Sequence, residues 1–391
     1  MQIIDGIPVF GSPIEEGALV QIKECAKTAA RAVLTADHHK GYSCPIGGVL
    51  AYDNAVSPSG VGYDIGCGNK AVLLDMPGEE LRRNIKPIMD DLWSTISFGI
   101  GRNNNEPVEH EIFHTPHPGW DIPFVKNLKD LAVNQLGTVG SGNHYVDLFV
   151  DEQDHAWVGV HFGSRGFGHK IATHYLNAAG AVDNMDAPPT VVSLTTDLGN
   201  DYYTAMELAG QYAYAGRDWV CERVARMLGA TILDEIHNHH NYAWKETHDG
   251  HDYYVVRKGA TPAFPGQRGF VGGSMGDVSV IIEGKDSPLA SASLYSTVHG
   301  AGRVMGRMQA KGKFKNGQCL REPLVTQAMM DEWVAQAGVE LRGAGVDESP
   351  HCYKRLPDVL AHHGDSIEIL HTLTPVGVAM AGADVRDPYK D

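Results

Sequence analysis

A carboxylate and a thiol three residues apart, Asp64 and Cys67, stand in the glycine-rich stretch Gly62-Tyr63-Asp64-Ile65-Gly66-Cys67-Gly68-Asn69. Glycine permits positive φ and close backbone approach, so such a turn can aim both side chains at one cation. A thiolate with a carboxylate suits Zn²⁺, Co²⁺ or Mn²⁺. Two histidines extend the set: His144, at the end of Gly140-Ser141-Gly142-Asn143-His144, and His161, which opens His161-Phe162-Gly163-Ser164-Arg165-Gly166. Each adjoins a strand-like run and can present a neutral imidazole from a strand end. Gly140, Gly142, Gly163 and Gly166 would let backbone amides face an anion, and the planar fork of Arg165 fits a phosphate. A third group, His237-Asn238-His239-His240-Asn241, supplies one more candidate ligand, and spacing does not choose among its histidines. On a helix, His237 and His240 would share a face at i and i+3. The combined pattern is that of a metal beside a phosphate.

Three further segments have the same character. Arg257-Lys258-Gly259-Ala260-Thr261-Pro262 sets two cations beside a glycine turn, and Gly272-Gly273-Ser274-Met275-Gly276 offers backbone amides and a hydroxyl. Neither is a Walker loop or a dinucleotide fingerprint. In Val298-His299-Gly300-Ala301-Gly302-Arg303, His299 could serve as a covalent nucleophile, because imidazole is largely unprotonated near neutral pH and can attack phosphorus. Arg303 could neutralise phosphoryl oxygens.

The elements that must position these residues read as α+β. Apolar residues recur at helical intervals from Ala205 to His240, and shorter helices are expected over Glu16 to Ala36 and Glu79 to Trp93. Lys70–Leu74, Tyr145–Val150, Ala156–Val160, Tyr253–Val256 and Val278–Ile282 have the β-branched and aromatic content of strands. The stretch Asn184 to Asn200, with Pro188-Pro189, reads as a surface excursion. No repeat or linker divides the 391 residues, so residues 1–391 are expected to form a single intertwined domain whose site is assembled from the whole length.

Composition narrows the function. The net charge of −16 opposes attraction to nucleic acid over the whole surface, though a local basic groove with Arg165, Lys258, Arg268, Arg303 and Arg307 as candidates is compatible with it. Six scattered cysteines without a C-x-x-C pair indicate buried thiols rather than a disulfide scaffold. No apolar run is long enough for a membrane span and no secretion signal stands at the N-terminus, so a cytoplasmic setting is the expectation.

With these segments assembled, the sequence resembles the RtcB family of RNA ligases. The resemblance rests on Asp64-Ile65-Gly66-Cys67-Gly68, Gly140-Ser141-Gly142-Asn143-His144, His161 to Gly166, His240-Asn241-Tyr242-Ala243, Arg257 to Thr261, Gly273-Ser274-Met275-Gly276 and His299 to Arg303, all in the family's order. It implies mixed sheets surrounding a central metal and nucleotide cleft. It implies two Mn²⁺ ions, one held by Asp64, Cys67 and His144 and the other by Cys67, His161 and His240, and so selects His240 from the third group. It further implies that His299 takes GMP from GTP and passes it to an RNA 3′-phosphate, after which a 5′-hydroxyl displaces GMP; a 2′,3′-cyclic phosphate would first be opened. Asn143, Asn241, Ser274, Met275, Ser279, Gly300, Ala301, Gly302 and Tyr353 would line the guanylate pocket, with Arg165, Lys258 and Arg303 on phosphate or RNA. The implied partners are RNA ends and GTP, with an activating protein as a further candidate and no membrane.

This chain departs from the family pattern at two pocket positions: Met380 stands where a lysine is common, and Asp147 where a glutamate often contacts the base. Its tail from Ala383 to Asp391 also runs past the usual end. Two other functions fit the same residues. A two-metal cyclic phosphodiesterase would need no GTP, and a non-catalytic RNA-end-binding protein would keep the fold without turnover.

Overall fold

All five strand-like runs form strands, because their β-branched and aromatic side chains pack on pleated surfaces that are buried on both faces. The computed structural model describes residues 1–182, 184–315 and 318–383; the tail beyond 383 lies outside the described residues. The larger sheet runs in the order Ile232–His239, Gly68–Pro77, His155–Phe162, Tyr145–Val150, Ile367–Gly382, Ser279–Gly284 and Arg268–Val271, with Glu340–Ala344 added in parallel to Ile367–Gly382. The smaller sheet runs Gln2–Ile4, Ile7–Val9, Arg31–His39, Ile46–Tyr52, His251–Lys258 and Asn241–His248. Both are mixed sheets, and with the helices they make the α+β architecture expected.

Alternation along the strands of the larger sheet assigns its two faces. Val72, Leu74, Val146, Leu148, Val158 and Val160 join Val220 and Val224 of the long helix Asp197–Leu228 in one buried cluster. Each such side chain contributes about 1.5–3 kcal/mol of transfer free energy. The opposite face carries Ala71, Phe149, Trp157, Ile236 and Phe270 in a second cluster. The sheet curls until its end strands meet: Asn238 Oδ1 accepts from Phe270 N at 2.9 Å, and Arg268 pairs with Asp234 at 2.5 Å.

The chain passes from the larger sheet to the smaller at a single residue, His240, between the strands Ile232–His239 and Asn241–His248. A short ladder of Ala260–Pro262 with Ser296–Val298 then delivers His299 to the same seam. The two sheets are therefore interleaved along the sequence, which makes one intertwined unit.

Three helix boundaries differ from the sequence reading. The long helix stops at Leu228, where Gly229 adopts φ 69° as a left-handed cap, and Ile232–His239 is a strand. The alternation of that segment is bound by the neighbouring strand Gly68–Pro77, so the third histidine group is not helical, and His237 and His239 share a strand face. The first helix spans only Glu16–Cys25, because Arg31–His39 is captured between Ile7–Val9 and Ile46–Tyr52. The helical stretch near Trp93 is two helices, Gly78–Arg83 and Ile85–Thr95, with Pro87 accommodated in the first turn of the second. The excursion at Asn184 to Asn200 contains a short strand, Val192–Ser193, and is tied inward where Ser57 Oγ donates to Thr190 O.

Candidate active site

The Asp64–Cys67 turn is stitched to the sheet seam by its own backbone. Cys67 N donates to Asp64 O at 3.1 Å, Gly66 N donates to Asn241 O at 2.8 Å, and His240 N donates to Cys67 O at 2.8 Å. His144 enters from the start of Tyr145–Val150, and His161 lies on His155–Phe162 directly across from both Asn69 and Tyr145. Four strands and one turn thus converge. Gly163 makes the convergence sterically possible: a Cβ there would sit 2.2 Å from Asp64 Oδ1.

Two groups of donor atoms result, Asp64–Cys67–His144 and Cys67–His161–His240, with the atoms of each group within 4.8 Å of one another and the sulfur common to both. Cys67 Sγ lies 3.6 Å from Nε2 of His144 and 3.6 Å from Nε2 of His161, and His144 Nε2 is 3.0 Å from Asp64 Oδ2. His161 Nδ1 donates to Asn69 Oδ1 at 2.6 Å, which leaves its Nε2 lone pair facing the sulfur. His144 Nδ1 and His240 Nδ1 are buried without a hydrogen-bond partner. A thiol, a carboxylate and three imidazoles, with Nε2 of His144 and of His161 turned toward a sulfur common to both groups, are a donor set that fits divalent cations.

The electrostatics suit cation capture. Burial pushes the Asp64 carboxyl up, but the hydrogen bond and charge of His144, the Cys67 thiol and Arg165 outweigh it and bring the pKa down to about 2. Burial holds His161 and His240 well below the ordinary imidazole value, so both present lone pairs rather than protons. Burial, reinforced by Asp64, pushes the Cys67 thiol well up. A cation bound there must therefore displace the thiol proton.

His299 packs edge-on against His240, with ring centroids 4.9 Å apart. Its Nδ1 donates to Asp37 Oδ2 at 2.5 Å, and the same oxygen accepts from His299 N at 2.9 Å and Gly300 N at 3.4 Å. Burial raises the Asp37 carboxyl, yet His299 through its charge and hydrogen bond, together with Thr35, keeps it well below the usual carboxylate range. An ionised Asp37 favours the proton on Nδ1 and leaves the lone pair on Nε2. Gly259, at φ 62°, admits this ring: a Cβ there would lie 3.1 Å from His299 Cε1 and 2.4 Å from Ile46 Cγ2.

The remaining expected site residues divide by environment. Asn143 Nδ2 is 3.5 Å from His161 Nε2, and Asn241 Oδ1 accepts from Gly259 N at 2.7 Å. Gly300 bridges to Gly272, which brings the Ser274–Met275 loop alongside; Ser279 Oγ accepts from Gly273 N at 3.0 Å, and Met275 packs with Tyr145 and Met380. Ala301 and Tyr353 meet in a neighbouring apolar cluster, past the turn at Gly302. Arg165 donates to Gly99 O and Thr138 Oγ1. Arg303 is held by Asp347 O, Tyr353 Oη and Glu348, and Arg307 by Asp347 and Glu348. Lys258 Nζ donates to Tyr42 O and Ser59 O beneath the Gly62 turn, and Arg268 pairs with Asp234. The basic candidates for a groove are thus anchored to backbone carbonyls and carboxylates.

Two residues of the site escaped the sequence reading. Asp37 carried a signal, an acidic residue inside the apolar run Arg31–His39 beside two histidines. Arg217 carried another: it falls on the apolar stripe of its helix, between Ala213 and Val220, and is fully buried.

Sequence comparison decides the family. Residues 18–381 match the family described as tRNA-splicing ligase RtcB. The chain belongs to the RtcB family. It is 31% identical to the RNA-splicing ligase RtcB of Escherichia coli (strain K12), over 94% of each chain. The tRNA-splicing ligases RtcB of Thermococcus kodakarensis and Archaeoglobus fulgidus are 29% and 30% identical, covering 89% and 88% of this chain and 87% and 86% of their own. The converging segments of this RtcB-family chain, from Asp64 to Arg303, all fall within the matched range. Among the described residues, no helix is long and apolar enough to cross a membrane.

Proposed function

We propose that this protein is a GTP- and Mn²⁺-dependent RNA ligase that joins RNA 3′-phosphate or 2′,3′-cyclic phosphate ends to 5′-hydroxyl ends. The observation that carries the reading is the contact of His299 with His240, at 4.9 Å between rings, with Asp37 holding the Nδ1 proton. A nucleophilic imidazole beside a two-cation donor set supports covalent nucleotide transfer; a phosphodiesterase would not require it. Family membership supports the substrate class.

In this reading His299 Nε2 attacks the α-phosphorus of GTP, forming a P–N bond as pyrophosphate leaves, and Asp37 stabilises the charge that develops on the ring. An oxygen of the RNA 3′-phosphate then attacks the same phosphorus, breaks the P–N bond and returns the electron pair to Nε2. The RNA end now carries GMP, a far better leaving group than oxide. A 5′-hydroxyl attacks the 3′-phosphorus, loses its proton and expels GMP to complete the phosphodiester. Asp64, Cys67 and His144 would hold one Mn²⁺, and Cys67, His161 and His240 the other; the bound ions offset charge gathering on the phosphates. Asn143, Asn241, the Ser274–Met275 loop, Ser279, the Gly300–Gly302 turn and Tyr353 form the nucleotide side of the cleft, with Arg165, Lys258 and Arg303 supporting its phosphate side.

Two residues of this chain bear on base choice, Asp147 and Met380. Asp147 is 6% exposed, burial pushes its carboxyl well up, and its Oδ1 is unpartnered, while Met380 brings no cation nearby. Incubation with each α-labelled ribonucleoside triphosphate and Mn²⁺ tests turnover and base choice together. Acid-labile label from GTP that disappears in His299→Ala supports the reading. Label that persists in His299→Ala overturns the nucleophile, and cyclic phosphate opening without any labelled protein supports the phosphodiesterase instead.

A further inference from the structure

Arg217 is a fully buried guanidinium on the long helix, and among the described residues it makes no direct ion pair. A buried cation without a carboxylate partner is costly, so the groups that hold it are informative. It reaches three acceptors and one further ring nitrogen. Nη1 donates to Gly66 O at 2.9 Å and to Phe162 O at 2.5 Å; Nη2 lies 2.9 Å from His239 Nδ1, and Nε donates to His237 Nε2 at 2.8 Å. His239 Nδ1 also lies 3.0 Å from Gly66 O, so one ring nitrogen meets both the guanidinium and the carbonyl of the turn. His237 is completed on its other side by Asp218, 3.3 Å from Nδ1.

Three of these contacts fall on the chain neighbours of three metal-donor residues: Gly66 precedes Cys67, Phe162 follows His161, and His239 precedes His240. Cys67, His161 and His240 are one complete donor group. Neither His144 nor Asp64, which complete the other group with Cys67, has an adjacent residue on Arg217; His144 Nε2 lies 3.0 Å from Asp64 Oδ2, and Arg165 acts on Asp64 through its charge. The three segments come from a turn and two different strands, and the Arg217 guanidinium contacts all three.

We infer that Arg217 is a positioning residue that sets the divalent-cation affinity of the Cys67–His161–His240 position, and sets that of the Asp64–Cys67–His144 position much less. The inference rests on the two-ion reading above. The planar fork matters, because lysine keeps the charge but cannot span contacts on three segments.

The test is calorimetric titration of the metal-free full-length protein with Mn²⁺ alone, in backgrounds that isolate each position. Asp64→Asn leaves the Cys67–His161–His240 group complete, and His240→Gln leaves the Asp64–Cys67–His144 group complete. Adding Arg217→Lys is expected to weaken Mn²⁺ about tenfold or more in the Asp64→Asn background and less than about threefold in the His240→Gln background. Arg217→Met, similar in length and without charge or donors, should reproduce the same asymmetry, and whichever of the two variants melts cooperatively is the one read. Equal weakening in both backgrounds, or none in either, overturns the role of Arg217. Wild-type protein that binds fewer than two Mn²⁺ overturns the two-ion reading itself, a distinct result.

Discussion

Replacing Asp37 with asparagine is the sharpest test of how His299 is activated. The carboxylate is fully buried, and one of its oxygens accepts from His299 Nδ1 at 2.5 Å and from the His299 and Gly300 amides. Its other oxygen accepts from Thr35 Oγ1 at 2.7 Å. Asparagine is nearly isosteric but uncharged, so loss of the charge-assisted bond alone removes about 1.5–3 kcal/mol, or roughly 10- to 150-fold in rate. If the amide NH₂ turns toward Nδ1, the ring proton is driven to Nε2 and the nucleophilic lone pair is lost. In a serine-protease triad that error costs about 10⁴-fold. The expected loss in single-turnover labelling by α-labelled GTP therefore lies between about 10-fold and 10⁴-fold, with Mn²⁺ binding close to wild type because Asp37 belongs to neither donor group. A melting curve establishes that the variant is folded. Folded Asp37→Asn protein labelled within about threefold of the wild-type rate would refute the orienting role.

Cys67→Ala should lose both cations, since the sulfur is the donor common to both groups; two ions retained at wild-type affinity in elemental analysis would contradict the shared ligand. Gly163→Ala places a methyl 2.2 Å from Asp64 Oδ1, so it should weaken Mn²⁺ by about tenfold or more and destabilise by about 1–3 kcal/mol; calorimetry and urea unfolding check both. Stability of the metal-free protein should fall on acidification. His39 and His237 are brought down to about 3, chiefly by burial, so each stays neutral in the fold while the unfolded chain takes up a proton below its ordinary value. Their contribution is complete above about pH 6.5 and is lost as pH falls toward 3, at about 1.4 kcal/mol per pH unit for each histidine. Urea midpoints at pH 7.5 and 5.5 that coincide would show these imidazoles to be free to charge.

The strands were legible because buried β-branched runs announce themselves locally, and all five expected runs lie in or across observed strands. Helix ends were less legible. Ile232–His239 continues the apolar pattern of the preceding helix, and only its pairing with Gly68–Pro77 makes it a strand. That difference moves His237 and His239 onto one face, toward Arg217, and places His240 where the chain changes sheet. Asp37 was hidden for a similar reason. Its partner is 262 residues away, and no spacing rule connects two such positions.

What the residue order determined by itself was the chemistry on offer: a thiol, a carboxylate, imidazoles and glycine-rich turns in an order that places the chain among the RtcB ligases. Types and short spacings carry that information because a turn of a few residues folds much the same way wherever it sits. Tertiary structure alone decided which imidazoles face the sulfur, which acid orients His299, and that a guanidinium from the long helix contacts three donor segments. Those choices follow from the curl of one sheet against the seam of another, where distances between side chains no longer depend on their separation along the chain.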